Sequence, residues 1–514
     1  MRIIKTIIVA LLLGNTAVNA QQATIPNVLG LRTAKSSGTI KENGKLVGYY
    51  VFYQKERQDK KTNAYEVKIF DDNYNALKSF EITRPNSTIL IEMEYNGEAF
   101  LLHFYDEMGY EFVTFDKTGK QLGSYKIGKA NINYWDLQMV KTNLSTGTQI
   151  ISIFPMGNKG FVYSTYNKNK KMGYKIVGFD NNAKQIWTLE SDPASQMVQT
   201  TQITDVSDNV ITATITIKKS LMTTNADFSC LLIDSKTGTE IKTIPLGSVE
   251  TGERTILKSF VNEKTSTIML VGDYFKPGAS SVKDKSEGIY LQELSLKGEE
   301  LSIKKYSWKD DIDKLKAKSE DPNDKDRPFY CFIHDVIITN NGHIFLIGEQ
   351  YIKQASVKGI LLGGGSVLEI LVADMLVIEF DQNKKLVDFD LIDKKKTNVS
   401  LPSGYGIVAT TILGIYVNSI GKFDYSFTSR NQEKDQFDVV YIDANRKEDE
   451  KSDKSDVMVG VISFRNGEET TNRVAINCES KYFWLQPAKP GFISVSEYFK
   501  KTKTISSRLE QIAY

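Results

Sequence analysis

A hairpin built around one kind of turn returns about seven times along this chain, and that repetition constrains the fold more than any single motif. Each copy is an apolar strand ending in an acid or small polar residue, then a turn of Gly, Asn or Lys, then a second alternating strand. In order the copies read KIFDDNYNALKSFEI to Ile82, VTFDKTGKQLGSYKI to Ile127, VGFDNNAKQIWTLE to Glu190 and LLIDSKTGTEIKTIPL to Leu246. They continue as QELSLKGEELSIKKY to Tyr306, VIEFDQNKKLVDFDLI to Ile392 and ISFRNGEETTNRVAI to Ile476. The turn chemistry has a plain cause. An Asp or Asn side chain caps the turn, and Gly119, Gly238, Gly298 or Gly467 supplies the positive φ that reverses the chain.

A strand ending in aromatics and a charge precedes each hairpin, as in LVGDYFK from Leu270, LIGEQYIK from Leu346 and SVSEYFKK from Ser494. A further apolar strand stands upstream of several of these, at residues 87–93, 255–261 and 331–338. The unit is therefore four short antiparallel strands, too small to bury both faces alone, which is the mark of a β-propeller blade. After the seventh hairpin only three strands remain, at 482–486, 491–499 and 502–512, while residues 24–31 near the start are apolar and unassigned. An N-terminal strand that completes the last blade closes the ring and removes exposed sheet edges. The expected fold is an all-β propeller of about eight blades, with seven as the alternative, over residues 21–514. Helix is expected to be sparse.

Residues 1–20 read as a cleaved signal peptide: Arg2 and Lys5, an apolar run from Ile7 to Leu13 too short to span a bilayer, and small residues before Gln21. The expected location is the periplasm or the exterior, and no Cys follows the cleavage point to carry a lipid. Removing Arg2 and Lys5 from 65 basic residues leaves 63 against 63 acidic ones, a balance that argues against a nucleic-acid partner. No transmembrane helix is expected in the mature chain. Three His and three Cys leave little material for His-based catalysis, zinc or a disulfide scaffold, and neither metal nor cofactor is expected.

The order of these units, together with LVGDYFK…GIYLQELSLKGE and LIGEQYIK…DMLVIEFDQNKKL, resembles secreted, functionally uncharacterised β-propeller-like proteins of Gram-negative bacteria. The resemblance implies export and fold and carries no catalytic residue. FDKTGK at Phe115 and IDSKTG at Ile233 also resemble the turn of pyrroloquinoline-quinone-type repeats. Only FDNNAKQIW, ending at Trp187, keeps that repeat's Trp, so the likeness implies no quinone here.

Candidate ligand-binding residues are His103, Asp273, His334, Glu349, Glu497 and Trp308. A two-residue hairpin at Asn341-Gly342 is expected to set His334 opposite Glu349, an arrangement open to acid/base work, metal ligation or a cross-strand hydrogen bond. His103, Asp273, Glu349 and Glu497 share one repeat position, which suits either a structural link between blades or a polar ring lining one site. Asp321, Asp324 and Asp326 lack the Gly and distal Glu of an EF-hand loop, and 447–456 is a charged loop. Insertions at 308–328, 354–373 and 393–422 are expected on one face. In the middle one, Ser366 and Glu369 stand at capping-box spacing and predict a short helix from Val367. The sequence leads to an exported, non-catalytic propeller that binds a protein, glycan or envelope component through this face. The alternatives are a glycan hydrolase or lyase needing paired carboxylates, and an envelope structural or small-ligand sensor domain.

Overall fold

The computed structural model describes residues 21–512 apart from 31–36, 43, 135–136, 139, 141–151, 168–171, 221–222, 224, 316–328, 357–367, 402–407 and 446–454. The signal peptide, the Asp321–Asp324–Asp326 loop and the greater part of the charged loop at 447–456 therefore lie outside the described residues.

Strand propensity and turn chemistry repeat, and so does the structure. Eight antiparallel sheets follow one another as the blades of a β-propeller: blade 1 at 37–85, blade 2 at 89–128, blade 3 at 153–190, blade 4 at 198–245, blade 5 at 258–307, blade 6 at 330–392, blade 7 at 425–478 and blade 8 at 483–511. In blades 1 to 7 the strands lie in sequence order, and the first strands of blades 1 and 2, 2 and 3, 4 and 5, 7 and 8, and 8 and 1 touch around the centre. Blade 8 takes its fourth strand from the N-terminus, where Gln22–Ile25 pairs with Thr504–Gln511 in the register Gln22↔Arg508 to Ile25↔Ile505. This strand starts earlier and stops sooner than the apolar segment at 24–31 suggests. Pro26 has no N–H to extend the ladder, and Asn27 turns the chain at φ 62°.

Burial falls off from the centre of each blade outward. The third strand of blade 2, Gly109–Asp116, is buried along most of its length, whereas the fourth, Gln121–Gly128, is largely exposed. Third strands pack on both faces against neighbouring blades. Phe112 of blade 2, for example, meets Tyr163 and Phe179 of blade 3 at ring separations of 4.8 and 5.4 Å. Each such ring contributes about 1.5–3 kcal/mol by leaving water.

The hairpin turns hold as their chemistry requires. Asp116 accepts the backbone N–H groups of Thr118 and Lys120, Asp180 those of Asn182 and Lys184, Asp234 those of Lys236 and Thr237, and Asp381 those of Asn383 and Lys385. Gly119, Gly238, Gly298 and Gly467 all have positive φ, between 69° and 81°.

Blade 6 departs from two expectations. The segment predicted to be a helix from Val367 is, from Leu368 onward, the third strand Leu368–Phe380. Its start pairs on one side with the second strand, Ala355↔Leu368 to Tyr351↔Val372, and on the other with an added strand, Thr397–Ser400. With partners on both edges and Ile370 and Val372 fully buried, the run ILVA satisfies its backbone as a doubly covered strand. Glu369 accepts from the Gln354 side chain at 3.0 Å instead of capping a helix. The second departure is the turn between Ile338 and Ile344, which is a five-residue loop rather than a two-residue hairpin, closed by Thr339 N–H to His343 O at 2.9 Å. A helix, α1 (Thr410–Ser419), forms instead in the connection between blades 6 and 7, where Leu413 and Val417 pack with Tyr351, Ile370 and Val372.

Candidate functional site: the central cavity

The first strands enclose a cavity of about 2090 Å³, lined by every blade except the third among the described residues. Loops joining second to third strands and loops joining blades emerge on the same face. There the blade 5 loop (residues 281–286) and α1 both reach the cavity wall. They are tied together: Thr411 Oγ1 of α1 donates to the Val282 carbonyl at 3.0 Å. Ile415 of α1 lines the cavity and remains 63% exposed, so this helix borders the opening without filling it.

Three of the six predicted residues, Asp273, Trp308 and His334, line this cavity. Trp308 begins a wide helical turn after blade 5, its ring buried and its Nε1–H donated to Ser286 Oγ at 2.9 Å. Asp273, on the second strand of blade 5, is half-buried beside Ser286. Burial pushes its carboxyl up to about 7, against a hydrogen bond from Ser286 that acts the other way. A group with that pKa is poised between acceptor and donor near neutrality.

His334 occupies a bulge between Ile333 and Asp335, and the bulge carries its ring to Glu349: Nε2 and Oε2 are 3.0 Å apart. The backbone register itself is displaced from the expected one, pairing Phe332 with Glu349. The His334 ring stacks on Tyr425 of blade 7 at 4.7 Å and 5°. Glu349, fully buried, does not line the cavity. It accepts the Asp424 and Tyr425 N–H groups at the entry to blade 7, each at 3.2 Å, and lies 3.3 Å from Lys394 Nζ, which also pairs with Asp424. Burial alone would raise the Glu349 carboxyl, but the His334 hydrogen bond and the charges of His334 and Lys394 hold it below its usual range.

Blade 2 repeats the device with the strands exchanged. His103 on the second strand faces Glu92 on the first, Nδ1 to Oε1 at 3.4 Å, and Glu92 accepts the Ser152 and Ile153 N–H groups at the entry to blade 3 at 3.0 and 3.3 Å. His103 is buried against Phe112, away from the cavity. Glu497 is also buried off the cavity, accepting the Ser480 N–H at 2.9 Å and pairing with Arg508. His103, Glu349 and Glu497 thus hold backbone and charge within and between blades and do not form one polar ring. Sequence reasoning missed Ser286, Lys285, Tyr330 and the α1 residues, because nothing local in the sequence places a loop of blade 5 beside a helix well over a hundred residues on. No group of three or more His, Cys, Asp or Glu that could hold a metal occurs among the described residues. Cys230, Cys331 and Cys478 are unpaired with one another.

A family model describing a family of unknown function matches residues 2–513. The chain belongs to this family, DUF6770. No curated protein matches it. Among solved structures it is similar to Saccharomyces cerevisiae Sqt1, at 9% identity and TM-score 0.38 over 96% of this chain and 98% of that one. It is also similar to prolyl oligopeptidase B from Galerina marginata, at 9% and 0.40 over 93% and 56%, and to the GH93 alpha-L-arabinofuranosidase of Fusarium graminearum, at 8% and 0.32 over 68% and 89%. At such distances these likenesses carry no functional argument. Among the described residues no helix is long and apolar enough to cross a membrane.

Proposed function

We propose that this DUF6770 protein is an exported, non-catalytic binding propeller that admits its ligand to the central cavity at the face bearing α1 and the blade 5 loop. The observation that supports it is the cavity itself: about 2090 Å³, walled by aromatic and neutral polar side chains, with Trp308, Ser286 and Thr411 already fixed by hydrogen bonds at that face. Hydrolysis is the weaker reading. Cleavage of a glycosidic bond calls for two carboxylates flanking one bond. Among the described residues the cavity wall offers Glu92 and Asp273, on blades 2 and 5, and Glu92 already accepts two backbone N–H groups.

Export rests on residues 1–20 and on the resemblance to secreted bacterial propellers, and mass spectrometry of the mature N-terminus should find Gln21 first. For binding, the test is a thermal-shift panel of neutral sugars, peptides, nucleotides and divalent ions on the mature chain and on Ile415→Arg, which sets a charge at the opening. A compound that raises the melting temperature of the native protein and fails on the variant supports the reading. Equal shifts in both proteins, or none from the panel, overturn it.

A further inference from the structure

The charges in the cavity wall narrow what it can hold. Among the described residues five acidic or basic side chains line it, and three are already engaged. Glu92 accepts two backbone N–H groups at the entry to blade 3, the His334 ring turns to Glu349, and the Lys285 ammonium lies over the Tyr330 ring at 5.7 Å. Lys218 of blade 4 and Asp273 of blade 5 remain, and neither has an ion-pair partner among the described residues. Both are part-exposed, whereas the unpartnered neutral groups of the wall, Thr88 Oγ1, Ser281 Oγ and Trp484 Nε1, are sealed from water.

These two charges stand on corresponding strands of neighbouring blades. Lys218 closes the second strand of blade 4, Val210–Lys218, and Asp273 lies near the end of the second strand of blade 5, Thr267–Tyr274. Val210 and Thr267 occupy the same place, each opposite the residue that caps the next turn, Asp234 and Ser295. Counted from there, Lys218 is the ninth residue and Asp273 the seventh, so a side-chain period of two puts both on the same face of their strands. Both lie at the end that leads to the loops between second and third strands, the side on which α1 sits. A carboxylate and an ammonium drawn partly out of water without counter-charges are unfavourable, and a ligand that brings both opposite charges relieves both. A cation or an anion satisfies one and is repelled by the other, and a neutral ligand satisfies neither. A molecule with a protonated amine at one end and a carboxylate at the other matches the pair.

Resting on the binding reading above, we infer that the cavity takes a short peptide with free termini, its α-ammonium on Asp273 and its carboxylate on Lys218. Trp308 donates to Ser286 Oγ, which leaves the hydroxyl proton for Asp273 and fixes that carboxyl before a ligand arrives. The other groups facing Asp273 do not compete for it. Tyr290 of blade 5 and Tyr351 of blade 6 have hydroxyls raised by burial and stay neutral, Arg254 is held by Gln292 and the Tyr290 ring, and α1 carries no acid or base. Binding requires Asp273 ionised and the amine protonated. With the Asp273 carboxyl at about 7 and a peptide α-amine near about 8, that combination is most populated at about pH 7.5.

The test titrates the mature full chain by calorimetry with the peptides Ala-Leu-Tyr and Ala-Leu-Tyr-Ala-Leu-Tyr, each with free termini, N-acetylated or C-amidated, and with cellohexaose as the neutral control. At pH 7.5 at least one free peptide should bind saturably and about 10-fold or more tighter than its N-acetylated form. Asp273→Asn should abolish that difference, and Lys218→Met should abolish the preference for a free over an amidated carboxylate. Between pH 7.5 and pH 5 the native affinity should fall on the order of 50-fold as Asp273 takes up its proton, a fall that Asp273→Asn should not show. Failure of both free peptides, equal affinity for free and acetylated forms, a terminus preference that survives its variant, or a flat pH profile overturns the peptide assignment. Binding of cellohexaose alone that Ile415→Arg abolishes also overturns it and leaves the cavity reading standing. Peptide binding untouched by Ile415→Arg overturns the cavity reading instead.

Discussion

The joint between blades 3 and 4 and the joint between blades 6 and 7 hold neighbouring sheets together with opposite chemistry. Between blades 3 and 4, Trp187 is 7% exposed, packs against Gly178 of its own sheet and Gly238 of the next, and donates Nε1–H to the Ser235 carbonyl at 3.1 Å. Between blades 6 and 7 the contact includes buried His334, Glu349, Lys394 and Asp424, linked by hydrogen bonds and charge. The first joint depends on shape and is indifferent to protonation. The second depends on every partner being present, because a charge taken out of water is tolerated only while its counter-charge stays. The polar joint therefore breaks harder.

The largest expected effect lies there. Glu349→Ala leaves the Lys394 ammonium buried with Asp424 alone and frees the two N–H groups at the entry to blade 7, so it should cost about 3–5 kcal/mol. The urea midpoint measures this, and a loss below about 1 kcal/mol would mean that water already screens the network. Next comes the apolar joint. A Cβ at Gly238 would lie 2.4 Å from the Trp187 ring at φ +69°, so Gly238→Ala combines left-handed strain with overpacking and should cost about 2–4 kcal/mol. Gly467→Ala has φ +81° and nothing within 4 Å, so it isolates the backbone part at about 1–2 kcal/mol. If the two alanines cost the same, the Trp187 socket yields freely and shape is not what holds that joint.

The two joints also show where sequence reading succeeds. Trp187 stands at a fixed offset from its turn, and Gly238 in the next copy of the same turn, so the repeat that defines the blades also positions this contact. Strand period, turn residues and closure by an N-terminal strand were legible because each is set by neighbours in sequence. The His334–Glu349 pairing could be read from spacing, yet its geometry depends on a bulge that spacing does not encode, and of its partners Lys394 comes from the insertion at 393–422 and Asp424 from the entry to blade 7. The capping box at Ser366 misled for a related reason: Leu368 to Val372 find strand partners on both sides, and tertiary pairing outweighs a local helix signal. In the cavity, the Trp308–Ser286–Asp273 group is assembled within blade 5, where Tyr274 pairs with Gly288 and Gly288 with Ser307, but its neighbour α1 comes from the connection between blades 6 and 7, which the repeat does not place.

Protonation separates the joint from the cavity with opposite signs. Glu349 is held below its usual range, so its contribution is complete above about pH 4.5 and is lost as pH falls through its folded value. Asp273 is raised to about 7 from 3.8, so the folded state binds its proton more tightly, and stability declines as pH rises from about 4 to 7. Asp273→Asn removes that decline. The variant should match the native protein near pH 3.5 and exceed it at pH 8 by a margin on the order of 2 kcal/mol, read from melting curves across the range. A variant that is less stable at pH 8 would show that the Asp273 charge is compensated in the wall.

The smallest expected effect concerns the turns, which are common to both kinds of blade. Asp234 accepts the Lys236 and Thr237 N–H groups, and those bonds hold its carboxyl below the usual range. Asp234→Ala should cost about 1 kcal/mol at pH 7, since the freed N–H groups reach water at this exposed turn. The cost should vanish as pH falls through the folded pKa, where the native carboxyl is itself neutral. Asp234 belongs to the turn that carries Gly238, so a loss well above that figure would mean that the capped turn also orients the Trp187 socket. The mutation would then act on the joint between blades 3 and 4 as well as on its own hairpin, and combining it with Gly238→Ala would give less than the sum of the two costs.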